Sequence, residues 1–337
     1  MVQKERFGVT SDGQAVDRYV IRGAGGAEAA ILNLGCIVQE LRVPNREGRL
    51  QNVVLNYGSV REYYEEDTCY LGACVGRVGN RIGGAVYTWN GETHRLEANE
   101  GPNQLHGGPN GFHRQIWEAE AGEDSVTLRR TSPDGEGGFP GNLAVSVTYR
   151  MTAENALEIT YRARTDRDTP VNLTNHSYFN FTGREDHIFR HQVQLLGSAI
   201  TEIAAGSIPT GRLLPVEGTP FDFRVPKEVG RDAFAPDPQL ALTESYDHNY
   251  VLDGSGFRSV ASVYLPETGI HMEVFTDQPG VQFYIGNYLA APHGRNTGLC
   301  LETQHYPDSV NHADFPSMML APGEEYVTRT AYRFSVR

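Results

Sequence analysis

The chain has 337 residues, enough to bury a full hydrophobic core, and a formal net charge of -13. This acidity, with no lysine- or arginine-rich run, argues against a nucleic-acid partner, because a phosphate backbone is bound by clustered cations. The first residues lack the apolar segment of a secretory signal, and no later stretch approaches the ~20 apolar residues of a membrane-spanning helix, so we expect a cytoplasmic protein without a membrane partner.

Potential metal-binding and disulfide patterns are weak. His187 and His191 have the i, i+4 spacing of a helical metal pair, but DHIFRHQV lacks the glutamate of an HExxH motif and runs into a strand pattern. We therefore predict no metal site. Reduced structural thiols are expected rather than a zinc knuckle or a disulfide framework, because no CxxC spacing occurs among the cysteines, which are Cys36, Cys69, Cys74 and Cys300.

The first third of the chain predicts short strands and tight turns. Residues 15–60 alternate between apolar and polar side chains and are broken by Gly, Asn and Pro, whereas 57–67 predicts a short helix. Asn90-Gly91 lies between two alternating segments and predicts a type I′ hairpin. The preceding glycines lack GxGxxG spacing, so a dinucleotide or phosphate loop is not expected.

The rest of the chain continues as strands separated by two long excursions, 132–142 and 204–244. No change in composition marks a domain boundary. We therefore predict an all-β fold, one large antiparallel sandwich that forms a single domain over residues 1–337. The strands with the clearest period-two alternation lie at 125–131, 143–152, 156–165, 259–266, 269–277, 280–287 and 325–336.

The stretch VNLTNHSYFNF, residues 171–181, carries the most unusual pattern. As a strand, it would place a polar and aromatic row on one face, and such a row would leave many groups unsatisfied in a dry core. It is more consistent with the wall of a wet pocket. His176 is the candidate proton donor or acceptor, with a core histidine bonded to nearby amides as the alternative; the predicted row is Asn172, Thr174, His176, Tyr178 and Asn180.

Other stretches offer partners for His176. Glu302 follows an apolar segment at a predicted strand end, where partial burial would tune a general base; a structural glutamate is the alternative. His106 lies in a glycine-rich turn, where the backbone can approach a ligand closely; a structural histidine is the alternative. Asp247 could orient a histidine or accept hydrogen bonds from hydroxyls, with a turn-capping role as the alternative. Arg77 and Arg81 are spaced to share a strand face, and either could contact a ligand oxygen or form an ordinary salt bridge.

Six segments together resemble the aldose 1-epimerase family, in order and over nearly the whole chain: GRVGNRIGG, GPNQLHGGPNGFH, NLTNHSYFN, YDHNYVL, QPGVQFYIGN and LETQHYPDSVN. The resemblance implies the β-supersandwich of galactose mutarotase-like proteins, with a sugar site in a cleft on one sheet. It further implies that Glu302 takes the proton of the anomeric hydroxyl and that His176 protonates the ring oxygen. The residues implied to hold the sugar hydroxyls are Asn80, Arg81, His106, Asp247 and Gln282.

The implied reaction interconverts the α and β anomers of a free hexose such as galactose or glucose. Opening a cyclic hemiacetal removes a proton from one oxygen and adds one to another, which a carboxylate and an imidazolium can do without a cofactor. A carboxylate near His176 is expected to keep it protonated. An aromatic side chain is expected to stack on the sugar, and the sequence leaves open which of three does so: Tyr178, Phe179 or Phe283.

The implied partner is therefore a small-molecule aldose, bound by a monomer or a homodimer. A hexose-6-phosphate 1-epimerase on the same fold is the nearest alternative, although no Arg/Lys cluster accompanies the motifs. A non-catalytic sugar-binding module and a glycosidase that uses Glu302 with Asp247 are the others.

Overall fold

The computed structural model describes residues 2–337, which form mainly β-strands. The strands of the first half are β1 (Gln3–Val9), β2 (Ala15–Arg22), β3 (Glu28–Leu32), β4 (Val38–Pro44), β5 (Leu50–Asn52), β6 (Cys74–Val75), β7 (Arg81–Ile82), β8 (Val86–Trp89), β9 (Glu92–Arg95), β10 (Gln104–Leu105), β11 (Glu118–Ala121), β12 (Ser125–Ser132), β13 (Leu143–Met151) and β14 (Ala156–Thr165).

The strands of the second half are β15 (Thr169–Pro170), β16 (Thr174–Asn175), β17 (Gln192–Leu195), β18 (Gly197–Ile203), β19 (Pro209–Pro215), β20 (Lys227–Glu228), β21 (Asp247–Leu252), β22 (Arg258–Tyr264), β23 (Ile270–Thr276), β24 (Gly280–Tyr284), β25 (Cys300–Gln304), β26 (Met319–Leu320) and β27 (Tyr326–Val336). An α-helix, α1, spans Pro238–Thr243. Single turns of 3-10 helix lie at Gly83–Ala85, Phe112–Arg114, Glu136–Gly138, Ile188–Arg190, Val229–Arg231 and Ser309–Asn311.

Three sheets organise these strands. The largest has the order β11-β12-β13-β14-β27-β23-β22-β17-β20 and is antiparallel throughout. Two five-stranded sheets have the orders β1-β2-β3-β4-β5 and β19-β18-β21-β24-β25. One hydrophobic cluster includes side chains from all three sheets, among them Ile21, Ile31, Val147, Ile159, Phe283 and Leu301. The prediction of a large antiparallel β-supersandwich is therefore confirmed.

Period-two alternation explains the long strands. Along β13 the side chains of Val145, Val147 and Tyr149 are buried, whereas those between them are more exposed. Extended backbone places successive side chains on opposite faces, so an alternating sequence buries one face of the sheet. Each buried valine contributes about 1.5–3 kcal/mol relative to an exposed one.

The predicted hairpin at Asn90-Gly91 is also confirmed. Strands β8 and β9 pair with Trp89 opposite Glu92, which leaves a two-residue turn. Asn90 has a φ of 50° and Gly91 a φ of 80°. Both values lie in the left-handed region that a type I′ turn requires and that asparagine and glycine tolerate best.

Two local predictions need correction. The helix expected at 57–67 is a five-residue π-helical turn, Glu62–Glu66. The excursion at 204–244 contains β19, β20 and α1. Helix α1 begins at Pro238, and the carboxylate of Asp237 accepts hydrogen bonds from the backbone N–H groups of the first turn. A capping aspartate followed by proline is a standard helix start, which outweighed the loop-like composition of the segment.

The sheet β19-β18-β21-β24-β25 positions the candidate site. In its register Asn249 is opposite Gln282, and Gln282 is opposite Glu302. Alternation turns Phe283 and Leu301 into the hydrophobic core and gives the polar residues the opposite face. Within residues 2–337, no helix combines the length and the apolar character needed to cross a membrane.

Candidate functional site

A cavity of about 680 Å3 is lined by six of the seven site residues expected from the resemblance. Glu302 and Asp247 reach it from β25 and β21, and Arg81 reaches it from β7. His176 and His106 each directly follow a two-residue strand, β16 and β10 respectively. Residues distant in sequence thus converge on one concave surface. Asn80 also lines it, next to Arg81.

His176 and Glu302 are the central pair of the cavity. His176 Nε2 lies 3.7 Å from Glu302 Oε1, and both side chains are almost fully buried. This separation is slightly too long for a direct hydrogen bond. A hydroxyl or ring oxygen of a ligand can therefore approach both groups.

The row predicted for residues 171–181 is only partly correct. His176 and Tyr178 line the cavity, but the regular strand β16 covers only Thr174–Asn175. The amides of Asn172 and Asn180 bond to backbone groups: Asn172 Oδ1 accepts from the N–H of residue 305, and Asn180 Nδ2 donates to the carbonyls of residues 186 and 297. These asparagines satisfy irregular backbone instead of facing a ligand.

His106 is held by reciprocal contacts with Asn80. The backbone N–H of Asn80 donates to His106 Nδ1 at 3.1 Å, and the backbone N–H of His106 donates to the carbonyl of Asn80 at 3.0 Å. Because Nδ1 accepts a hydrogen bond, the neutral ring carries its proton on Nε2. Burial lowers the pKa of His106 well below its usual range, and the neighbouring His176 and Arg81 lower it further. His106 is therefore a neutral hydrogen-bond donor.

The glycine-rich turn makes this arrangement possible. Gly107 has a φ of +84°, and a Cβ atom there would lie 1.9 Å from the carbonyl oxygen of Gly76. Only glycine fits both the left-handed backbone and the close approach of the two chains. The turn thereby fixes His106 against the segment that carries Asn80.

Burial raises the pKa of both carboxyl groups that belong to the predicted site, Glu302 and Asp247. Burial raises the pKa of Glu302 well above its usual range; Asp247 raises it further, and Arg81 opposes the shift. Burial also raises the pKa of Asp247, against the opposing effects of Arg81 and of the Gln282 amide, which donates to Asp247 Oδ1 at 2.7 Å. Among the described residues, Glu302 Oε2 and Gln282 Oε1 are buried with no hydrogen-bond partner. Glu302 lines the cavity, so its free oxygen is suited to accept a hydrogen bond from a ligand hydroxyl.

Gln282 lies beside the cavity rather than on its surface. It is opposite Glu302 across the β24–β25 pair and holds Asp247 through its amide. Its most direct structural effect is therefore to orient the Asp247 carboxylate.

Arg81 is paired before any ligand binds. Its Nε and Nη2 donate to the two carboxylate oxygens of Glu100 at 2.6 and 2.7 Å. This bidentate contact fixes the guanidinium plane at the edge of the cavity. Three carboxyl groups, from Glu100, Asp247 and Glu302, thus surround one guanidinium.

Arg77 does not share a face with Arg81, contrary to the prediction. Strand β6 ends at Val75 and β7 begins at Arg81, so the backbone between them is not one strand. The buried Arg77 guanidinium instead donates to the Ser132 hydroxyl and to carbonyls that include those of Pro140 and Gly141. It holds the 132–142 loop.

The aromatic wall of the cavity consists of tyrosines. Tyr178 lines it, whereas Phe179 and Phe283 belong to the hydrophobic core. Three further tyrosines, which the motifs did not predict, line the cavity. Tyr284 was detectable, because it lies two residues after Gln282 on one strand, but nothing in the local pattern marks the other two, which are Tyr70 and Tyr288.

The expectation that a carboxylate keeps His176 protonated is not supported. Burial lowers the pKa of His176 to about 4, and its own backbone carbonyl only partly opposes this effect. Burial thus opposes the charged forms of both groups, because it raises the pKa of Glu302 and lowers the pKa of His176.

Two histidines and a glutamate in the cavity are close enough together to suggest a metal site. Potential ligand atoms of His106, His176 and Glu302 lie within 4.8 Å of one another. However, the Nδ1 lone pair of His106 accepts the N–H of Asn80, and its Nε2 carries the proton. Neither nitrogen of His106 offers a free lone pair, so the arrangement suits proton transfer better than metal ligation.

Comparison with known proteins identifies close relatives. The family model described as aldose 1-epimerase matches residues 17–333. The chain is 40% identical to the galactose mutarotase of Sus scrofa over 342 residues, 98% of this chain and 94% of that protein. It is 38% identical to the aldose 1-epimerase of Escherichia coli (strain K12), over 96% of each chain. The crystal structure of an aldose epimerase homologue from C. elegans has a TM-score of 0.89 at 28% identity, covering 96% of this chain and 99% of that one.

Proposed function

Because the chain belongs to the aldose 1-epimerase family, we propose that it interconverts the α and β anomers of a free hexose, galactose or glucose. In this proposal Glu302 exchanges a proton with the anomeric hydroxyl and His176 with the ring oxygen. The observation that carries it is the 3.7 Å separation of His176 Nε2 and Glu302 Oε1 in one cavity. Both groups can reach oxygens bonded to the same carbon.

The reaction conserves the number of protons on the pair. Glu302 as a carboxylate accepts the O1 proton while the His176 imidazolium donates its Nε2 proton to O5, and the C1–O5 bond breaks. Glu302 is then a neutral acid and His176 a neutral imidazole. After rotation about C1–C2, the open-chain aldehyde closes from its other face, and both protons return.

The pKa shifts are consistent with this cycle. Burial disfavours the charged forms of Glu302 and His176, so it favours the neutral pair that follows ring opening. The charged pair that precedes ring opening gains hydrogen bonds from the hydroxyls of the bound sugar. The two forms of the pair differ only in the position of one proton.

The other polar residues of the cavity suit sugar hydroxyls. Asp247 accepts, the neutral His106 donates through Nε2, and Arg81 donates from the edge of its guanidinium that Glu100 leaves free. Asn80 contributes by holding the His106 ring. The faces of the lining tyrosines suit the apolar face of a hexose.

The charge around the cavity disfavours the hexose-6-phosphate alternative. A phosphate would meet the carboxyl groups of Glu100, Asp247 and Glu302, and Arg81 is already paired with Glu100. Binding a phosphate normally requires unpaired cations. We also propose that the protein functions in the cytoplasm as a monomer or homodimer. Its net charge of -13 supports the absence of a nucleic-acid partner.

Polarimetry of freshly dissolved α-galactose and α-glucose tests the proposal. We expect Glu302→Gln and His176→Asn each to lower kcat by about 10²- to 10⁴-fold, because each removes one proton-transfer group. The matched exposed variants Glu217→Gln and His187→Asn should retain full activity. Near-normal rates in either cavity variant would exclude the assigned pair.

Measurements with other substrates, and of sugar binding, separate the alternative functions. Turnover of glucose 6-phosphate but not of glucose would support the phosphate epimerase. Sugar binding without faster anomerisation would support a binding module, and release of reducing sugar from an oligosaccharide would support a glycosidase.

A further inference from the structure

One strand contacts both nitrogens of the His176 ring. Cys300 and Glu302 lie two residues apart on β25 and therefore point to the same face of the sheet. Glu302 Oε1 lies 3.7 Å from Nε2, and Cys300 Sγ lies 3.6 Å from Nδ1. Glu302 has a role in the proposed reaction, whereas Cys300 does not yet have one.

The neighbours of Nδ1 indicate which nitrogen keeps its proton. In the proposed reaction Nε2, the nitrogen beside Glu302, gives its proton to the ring oxygen of the sugar, so the neutral ring that remains carries its hydrogen on Nδ1. The group next to Nδ1 must then accept that hydrogen, and the Cys300 sulfur at 3.6 Å is in place to do so. The thiol of Cys300 remains neutral, because burial and the nearby Glu302 raise its pKa well above the usual range.

We propose that Cys300 is a positioning residue for His176: its sulfur accepts a hydrogen bond from Nδ1–H, which leaves Nε2 as the nitrogen that exchanges a proton with the sugar. The inference rests on the proposed function for its catalytic meaning, but the state of the ring can be measured without any reaction. His106 has the opposite arrangement, with Nδ1 accepting and Nε2–H donating. The two histidines would thus be held in opposite tautomers.

A sulfur acceptor suits an imidazolium that must lose its proton. Sulfur accepts hydrogen bonds weakly, so it orients the ring without strongly stabilising the cation. A carboxylate at the same place would raise the pKa of His176 and weaken it as an acid. It would also add a third buried carboxyl group to a site that already contains Glu302 and Asp247.

The ring is surrounded by few other titratable groups. His106 is in edge contact with a centroid distance of 5.1 Å, and it is held neutral. His113 is also near, and burial lowers its pKa to about 3. Further titratable groups that face the His176 ring are Glu302, Cys300, Tyr70, Tyr178 and Tyr284.

Nuclear magnetic resonance of the wild-type protein gives the first test. In long-range 1H–15N spectra of protein labelled with [15N]histidine, at neutral pH, we expect His176 as the Nδ1–H tautomer and His106 as the Nε2–H tautomer. The spectra of the His176→Asn and His106→Asn variants assign the signals. Finding His176 as the Nε2–H tautomer in an active enzyme would overturn the inference and leave the proposed function intact.

Variants of Cys300 give the second test. In Cys300→Ala we expect part of the His176 population to adopt the Nε2–H tautomer, and kcat to fall roughly fivefold with KM nearly unchanged. The fall of kcat/KM at acid pH should move to lower pH, because the cationic ring loses one hydrogen-bond acceptor. Cys300→Ser, which restores an acceptor, should recover part of kcat. Cys36→Ala is the matched control, since it truncates a buried cysteine outside the cavity.

A Cys300→Ala enzyme would refute the role of the thiol if its His176 tautomer, its kcat and the acid side of its kcat/KM–pH profile all matched those of the wild type. If that variant does not fold, the wild-type tautomer still decides the question. Loss of anomerisation by the wild-type enzyme itself would count against the proposed function, while its spectrum would still report the state of His176.

Discussion

The hydrogen-bond partners of individual atoms separate the roles of residues that look alike in the sequence. His106 and His176 are both buried histidines of one cavity, with ring centroids 5.1 Å apart. One accepts a backbone N–H at Nδ1, and the other presents Nδ1 to a sulfur. The sequence could identify both as candidates but not their tautomers, because the partners of each ring come from distant segments.

The pKa of His176 predicts the pH dependence of the reaction. The competent pair carries one proton, and activity falls when His176 binds a second proton in the free enzyme. Because burial lowers the pKa of His176 to about 4, kcat/KM should remain high at pH 5 and fall as the pH drops through about 4.

Polarimetric rates, corrected for spontaneous mutarotation at each pH, measure this limb. A midpoint near 6.5, the usual value for histidine, would contradict the effect of burial. The His187→Asn variant, altered at an exposed histidine, should show the same profile as the wild type.

Element length explains which parts of the site the sequence could predict. Glu302 and Asp247 lie on strands of five and six residues, whose alternation indicates a shared face. Arg81, His106 and His176 lie on or directly after strands of two residues. Two residues have no period, so only the resemblance could place these side chains in one cavity.

Arg77 shows how one side chain can organise a loop. Its guanidinium is almost fully buried and donates to the hydroxyl or carbonyl oxygens of residues 132, 133, 140, 141 and 169. The fixed fork of arginine can satisfy several acceptors at once. The sequence suggested a ligand contact or an ordinary salt bridge for Arg77. Its contacts with carbonyl groups could not be predicted, because those carbonyls belong to a loop with no pattern of its own.

Replacing Arg77 should therefore lower the stability of the folded protein. We expect Arg77→Met to lower the free energy of unfolding by about 4 kcal/mol, since several buried carbonyls lose their donor. Urea unfolding measures the change. Arg150→Met removes an exposed arginine paired with Asp124 and should cost less than about 1 kcal/mol. Equal unfolding midpoints for the two variants would show that Arg77 does not hold the loop.

At the scale of the whole molecule, the last strand joins parts of the chain that are distant in sequence. β27 lies between β14 and β23 in the largest sheet and pairs with both along most of its length. The hydrophobic cluster that unites the three sheets extends from Tyr19 to Phe334. The nine-stranded sheet therefore needs β27 to connect β14 with β23.

This topology leads to a prediction for the single domain expected over residues 1–337. Circular dichroism and tyrosine fluorescence should report one coincident thermal transition, because the three sheets share one hydrophobic core. Deleting residues 326–337 should prevent folding, since it separates β14 from β23. Deleting residues 1–9 removes only the edge strand β1 and should preserve the transition at a lower temperature. Two separated transitions in the intact chain, or a stable fold without β27, would contradict a single domain, because the segments that end in β14 and begin before β23 would then be stable independently.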